Sequence, residues 1–158
     1  VNLLMNGVSV MKQFIMMVFS LSLVGFNAQA AKVLTPETID ELPTVDSAWV
    51  LENHKNMVVI DTRKKSEFVE GHLPGALQLT YRGQRKVKVP DFDSSKDRFA
   101  IDKIPGDKTT AVIIYCQGVY CWKSYKAAVM LHRKGYSKVY WYRDGYPGWK
   151  KAGYPVEK

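Results

Sequence analysis

An α/β fold, a parallel sheet flanked by helices on both faces, is predicted for residues 31–158 by two features of the sequence. Short apolar runs of strand length alternate with helical segments, and that alternation implies parallel strands joined by right-handed crossovers. The strongest runs are also apolar throughout, without alternating polar positions, which marks strands covered on both sides.

Residues 1–30 are set apart from this fold. Met11-Lys12 is followed by the apolar run Phe14 to Phe26 and by Ala28-Gln29-Ala30. A positive start, an apolar run of this length and small residues at the A-x-A positions make a secretory signal peptide cut after Ala30. Residues 1–10 precede the cleaner start at Met11 and look like an early-assigned beginning. The alternative is a membrane anchor, but a crossing takes ~20 apolar residues. A lipoprotein would need a cysteine at the cut, where Ala31 stands. The expectation is a periplasmic protein without stable membrane insertion, and N-terminal sequencing of the exported chain should begin at Ala31. Recovery only in detergent, with the apolar run retained, would replace this reading with an anchor.

In the remaining chain, Thr35-Pro36-Glu37 predicts a short helix, with a capping hydroxyl, a proline at the first position and an acid in the first turn. Met57 to Ile60 predicts a buried strand, Ser66 to Glu70 a short helix stopped by Gly71, and Ala76 to Leu79 a second strand. Tyr81 to Lys108 is a long polar segment with eight basic and five acidic residues. Segments this long without regular structure are uncommon inside a domain, and both a solvated excursion and a substrate lid are consistent with it. Ala111 to Tyr115 is the clearest buried strand. A helix over Lys123 to Lys134 places Ala127, Ala128 and Leu131 on one face and stops at Gly135. Val139 to Tyr142 predicts the last strand, and Pro147 to Ala152 a final short helix.

Parallel strands end together, and ligands bind beyond their carboxyl ends. Asp61 and Cys116 each follow a predicted strand and are therefore expected at the same sheet edge. The cysteines are Cys116 and Cys121 alone. An exported pair this close is consistent with a disulfide, yet the loop it closes is too small to staple a domain, so chemistry is the better account. Cys116 lies between a buried strand and a helix N-terminus. Backbone N–H groups of the intervening turn can form an anion-binding nest there, favouring thiolate over thiol. Such a thiolate can attack a sulfane sulfur and hold it as a persulfide. The bland alternative is an inert buried cysteine packing as a small hydrophobe. A zinc site lacks further ligands, because His72 and His132 have no ligand-like spacing, and no metal or other cofactor is expected.

Removing Lys12 from 23 Lys+Arg leaves 22 against 15 Asp+Glu, a net charge of about +7 for the mature chain. Such a charge suits small anionic substrates. No nucleic-acid motif accompanies it, so no nucleic-acid partner is expected.

Val59-Ile60-Asp61-Thr62-Arg63 with Glu67 to Ala76 resembles the front half of a rhodanese domain. Tyr115-Cys116, Lys126-Ala127-Ala128, Gly135-Tyr136 and Asp144 to Trp149 resemble the back half. The likeness runs from about Leu34 to the end. It implies a parallel sheet of about five strands. It also implies a persulfide-forming cysteine after the fourth strand and a small sulfur-containing anion such as thiosulfate, or a thiol acceptor, as partner.

The departure lies in the loop Cys116-Gln117-Gly118-Val119-Tyr120-Cys121-Trp122-Lys123-Ser124, which is longer than is usual among rhodanese-like sulfurtransferases. Longer loops accompany phosphatase and arsenate-reductase activity in the superfamily, but those want an arginine to clamp the oxyanion, and this loop offers only Lys123. Cys121-Trp122 with Val139 to Gly145 resembles a narrower exported group associated with PQQ-dependent catabolism and known by a Cys…Cys-Trp motif. The candidate catalytic residues are Cys116 and, as resolving thiol, Cys121; the substrate loop is Gln117, Gly118, Val119, Tyr120, Trp122, Lys123 and Ser124. Asp61 and Arg63 support it, with Asp61 expected to accept from loop amides. His72 is expected to fix a turn and Trp149 to pack in the core. Three functions stay open: a sulfurtransferase, a thiol–disulfide redox protein using the two cysteines, and a non-enzymatic sulfur carrier or docking module.

Overall fold

The computed structural model describes residues 32–84 and 86–158; the predicted signal segment and its cleavage site lie outside the described residues. In chain order the elements are β1 (Thr44–Val45), α1 (Ser47–Asn53), β2 (Val58–Asp61), α2 (Lys65–Glu70), β3 (Leu77–Gln78), β4 (Val112–Tyr115), α3 (Trp122–Arg133), β5 (Val139–Tyr142) and α4 (Gly145–Lys151). The strands form one five-stranded sheet in the order β1-β5-β4-β2-β3. All four pairings are parallel, as the apolar runs predict.

Successive side chains of a strand point to opposite faces, so a strand apolar throughout needs cover on both sides. Val112 and Ile114 of β4 pack with Ala127, Ala128 and Leu131 of α3 on one face. Ile113 and Tyr115 pack with Val50 of α1 and Trp149 of α4 on the other. All these residues are fully buried. Trp149 is a core residue, as expected, and its indole N–H donates to the Pro155 carbonyl at 2.6 Å.

Helix α1 is an addition to the expected elements. Its start is set locally, by the Asp46 carboxylate accepting from the Trp49 backbone N–H at 2.8 Å. The helix expected at Thr35-Pro36-Glu37 is corrected: no helix precedes Ser47 among the described residues. The Thr35 hydroxyl, read as a cap, instead donates to the Val119 carbonyl at 2.8 Å, across a sequence separation of 84 residues. The hydroxyl oxygen accepts from Arg143 Nε at 3.2 Å in place of helix amides, and the Thr35 backbone N–H donates to the Val119 carbonyl, so tertiary partners take every group that a cap would have used.

The segment 81–108 is neither a regular element nor a detached excursion. Arg82 and Arg98 pair their backbones, with N–H···O distances of 2.9 and 2.7 Å. Tyr81, Phe92 and Ile104 are buried in the core that α3 covers. Its polar composition hides three apolar anchors spaced too irregularly to show a period.

Candidate active site at the carboxyl edge of the sheet

The register pairs Asp61 with Tyr115, and Tyr115 with Tyr142, so β2, β4 and β5 end together. Asp61 closes β2 and Cys116 follows β4, which puts both at one edge. From there the chain runs through Gln117 to Tyr120 and enters α3 at Trp122, with Cys121 at the N-cap.

Beneath this loop lies a buried polar cluster. The Asp61 carboxylate accepts from the Arg63 backbone N–H at 2.8 Å, from its Nε at 2.9 Å and from its Nη2 at 2.6 Å. The Tyr115 hydroxyl also donates to Asp61, at 2.6 Å, and accepts from the Leu73 N–H at 3.2 Å. Asp61 is 0% and Arg63 1% exposed. Burial alone would push the Arg63 guanidinium down, but the bonded Asp61 carboxylate outweighs it, and the pKa stands above its ordinary value. Burial, and then Asp61, push the Tyr115 phenol far above its usual range. Arg63 also donates to the Gly71 carbonyl at 2.6 Å and to the Gln117 side-chain oxygen at 3.4 Å. Its planar fork ties the end of β2 to the cysteine loop. Asp61 thus accepts from a local amide, as expected, and reaches the loop only through Arg63.

Cys116 and Cys121 are joined in a disulfide with a Cα–Cα distance of 6.2 Å. Cys116 is 1% exposed, while Cys121 is partly exposed. Two glycines make the loop's path possible. Gly118 has φ +85°, a conformation glycine adopts without the Cβ penalty. Gly145 has φ +56°, and a Cβ there would stand 2.2 Å from the Cys116 carbonyl oxygen, which the Tyr146 N–H holds at 2.9 Å. Gly145→Ala is therefore expected to cost at least ~1–2 kcal/mol from the backbone conformation alone. It should also displace the Cys116 carbonyl. A fallen thermal midpoint together with slower reaction of Cys116 would show this; an unchanged pair would remove Gly145 from the site.

The segment after the predicted cleavage site straps the loop from outside. Thr35 also donates its backbone N–H to the Val119 carbonyl at 2.9 Å, and Arg143 Nη2 donates to the Thr35 carbonyl at 2.8 Å. The Trp122 indole donates to the Val33 carbonyl at 3.1 Å. Thr35, Arg143, Tyr115 and Gly145 were not among the expected site residues. Only Gly145, in the Asp144-Gly145 turn beside the last strand, carried a local signal.

The loop residues divide between two clefts. Gln117, Gly118, Val119 and Tyr120 line one beside α4. Tyr120, Cys121, Trp122 and Lys123 line a larger one of about 890 Å³, whose far wall comes from the segment 81–108. Among the described residues every charged side chain lining this larger cleft is basic, eight in all, including Lys64, Lys88, Lys96, Arg98, Lys123 and Lys126. Burial pushes the Lys126 ammonium down, with the Asp97 charge opposing, and its Nζ donates to the Gln84 carbonyl at 3.2 Å. Ser124 joins neither cleft: it is buried and accepts from the Trp141 indole at 3.1 Å. Its assignment to the substrate loop is corrected, because the first turn of α3 rotates it toward the sheet. His72 shares its Nδ1 with the Phe68 carbonyl at 3.0 Å and stacks on Phe68, which suits a turn-fixing role.

The rhodanese-like domain family matches residues 44–152. A Synechococcus elongatus protein provisionally named thiosulfate sulfurtransferase is 30% identical over 135 residues, covering 79% of this chain, which spans only 42% of that relative. The thiosulfate sulfurtransferase GlpE of Actinobacillus succinogenes is 28% identical over 116 residues, covering 72% of this chain and 87% of its own. Among solved structures, SseA of Escherichia coli, described as having the rhodanese fold, superposes with a TM-score of 0.56 at 20% identity, covering 74% of this chain and 52% of that one. At that identity the superposition speaks for the fold alone. With the parallel five-stranded sheet and the cysteine loop at its carboxyl edge, the matched span settles the family: this chain belongs to the rhodanese-like domain family.

Proposed function

We propose that this protein is an exported sulfurtransferase that carries sulfane sulfur as a persulfide on Cys116. The observation that carries the reading is the position of Cys116, immediately after β4 and before the N-terminus of the twelve-residue helix α3. A thiolate there is favoured by the helix dipole and the loop amides. It attacks the outer sulfur of thiosulfate; the sulfur–sulfur bond breaks and sulfite leaves with the electron pair, so the negative charge passes to the persulfide. A thiol acceptor then takes the terminal sulfur. Alternatively Cys121 attacks the Cys116 sulfur, forming the protein disulfide and releasing hydrosulfide. The names of the relatives support a sulfur-containing anion as donor, and the segment Met11 to Ala30 supports the exported location.

The bridged cysteines favour a second reading, a thiol–disulfide redox protein, and make a redox condition part of the first: the nucleophile is available only after reduction. Intact mass tests both. Reduced protein treated with thiosulfate should gain one sulfur atom, and unreduced protein none. Reduced protein that gains nothing would leave the redox reading in its place.

A further inference from the structure

We propose that the basic cleft admits an anionic thiol that reduces the disulfide from one side, by attacking Cys121 and releasing Cys116 as the thiolate. The inference deepens the sulfurtransfer reading and rests on it only for what the freed Cys116 does next. Three observations carry it. The two cysteines of the bridge are unequal in access, because Cys116 is 1% exposed whereas Cys121 is partly exposed and lines the cleft. Thiol–disulfide exchange depends on which sulfur can be reached, so this asymmetry selects Cys121. The cleft, at about 890 Å³, has far more room than a small oxyanion requires, and its charged lining is basic throughout the described residues. Clefts lined by one sign of charge concentrate ligands of the opposite sign and speed their encounter.

The exchange balances. A thiolate bonds to Cys121 Sγ, the Cys116–Cys121 bond breaks, and its electron pair leaves on Cys116. A second thiolate attacks the reagent sulfur of the mixed disulfide, releasing Cys121 as thiolate and the reagent as its own disulfide. Two thiols are oxidised and one protein disulfide is reduced. The same cleft wall that attracts the reductant thus decides which protein sulfur is freed first.

The test uses the oxidised full chain and three thiols matched for thiolate concentration: 2-mercaptoethanesulfonate, 2-mercaptoethanol and cysteamine. The anionic thiol is expected to open the bridge roughly tenfold faster than the neutral one at low salt, with the cationic one slowest. That preference should collapse by about 0.5 M salt, where charges are screened over a few ångström. Acid-quenched mixed disulfide, digested and mapped, should carry the reagent on Cys121. Lys96→Glu with Arg98→Glu, both on exposed positions of the cleft wall, should bring the ratio of anionic to neutral rates toward one. The salt series provides the same readout without a substitution. An acidic cysteine peptide that outpaces the sulfonate would identify a protein segment as the source of the thiol, and equal rates a small molecule. Reagent mapped to Cys116, or equal rates for all three thiols at low salt, would overturn the proposal. Sulfur uptake by pre-reduced protein is measured separately, so its failure would strike the sulfurtransfer reading and leave the exchange result standing.

Discussion

Cys116→Ser is expected to abolish sulfur uptake by the reduced protein, while Cys121→Ser retains most of it. The two substitutions are the same in chemistry and differ in place. A serine hydroxyl stays protonated at neutral pH and does not attack sulfane sulfur, so losing the thiolate removes the step itself rather than slowing it. Cys116 sits between the end of β4 and the loop amides, and its carbonyl is held by the Tyr146 N–H at 2.9 Å, so its position does not depend on the bridge alone. Cys121 at the N-cap of α3 is held by its own backbone, its N–H donating to the Gly118 carbonyl at 2.8 Å. Replacing its sulfur leaves that turn in place. Mass spectrometry of each variant after thiosulfate treatment and reagent removal reads the outcome directly. Equal loss in both would mean that the thiols act as a unit, and the thiol–disulfide reading would then lead.

Asp61→Ala is expected to cost about 3–5 kcal/mol of stability, the range for breaking a buried ion pair and stranding one partner. The stranded partner is Arg63, 1% exposed, whose guanidinium would keep the Gly71 carbonyl but lose every bond to the carboxylate. The Tyr115 hydroxyl would lose its acceptor in the same step. Denaturant midpoints at unchanged slope measure the loss. Asp61→Ala combined with Arg63→Leu supplies the internal check, because an apolar replacement of both partners removes the uncompensated charge and should recover part of the stability. A double variant as unstable as the sum of the two singles would show that the pair is not a coupled unit. Sulfur uptake by the double variant should be slower than in the parent, since Arg63 also reaches Gln117 in the cysteine loop.

The sheet and the edge that carries its chemistry are legible in the residues alone. Val112 to Tyr115 has no charged residue and three aliphatic ones in a row, so it had to be covered on both faces, and the two hydrophobic clusters do so. Parallel strands end together, so Asp61 and Cys116 had to share an edge, and the register from Asp61 to Tyr115 puts them there. Both follow from periodicity and chain direction, which are local properties. Which groups answer one another across the chain depends on packing. Thr35 satisfied every local rule for a helix cap, yet its hydroxyl oxygen accepts from Arg143 and its proton goes to Val119 in the cysteine loop. Ser124 lay in the loop by position, yet the rotation of α3 turns it onto Trp141. The segment 81–108 carried its three buried anchors at irregular spacing, and only their burial shows it to be a wall of the basic cleft. The unequal exposure of Cys116 and Cys121 is of the same kind. Chain order separates the roles of the two cysteines, one after β4 and the other at the start of α3, but not their exposure, because accessibility belongs to the surroundings and not to the residue.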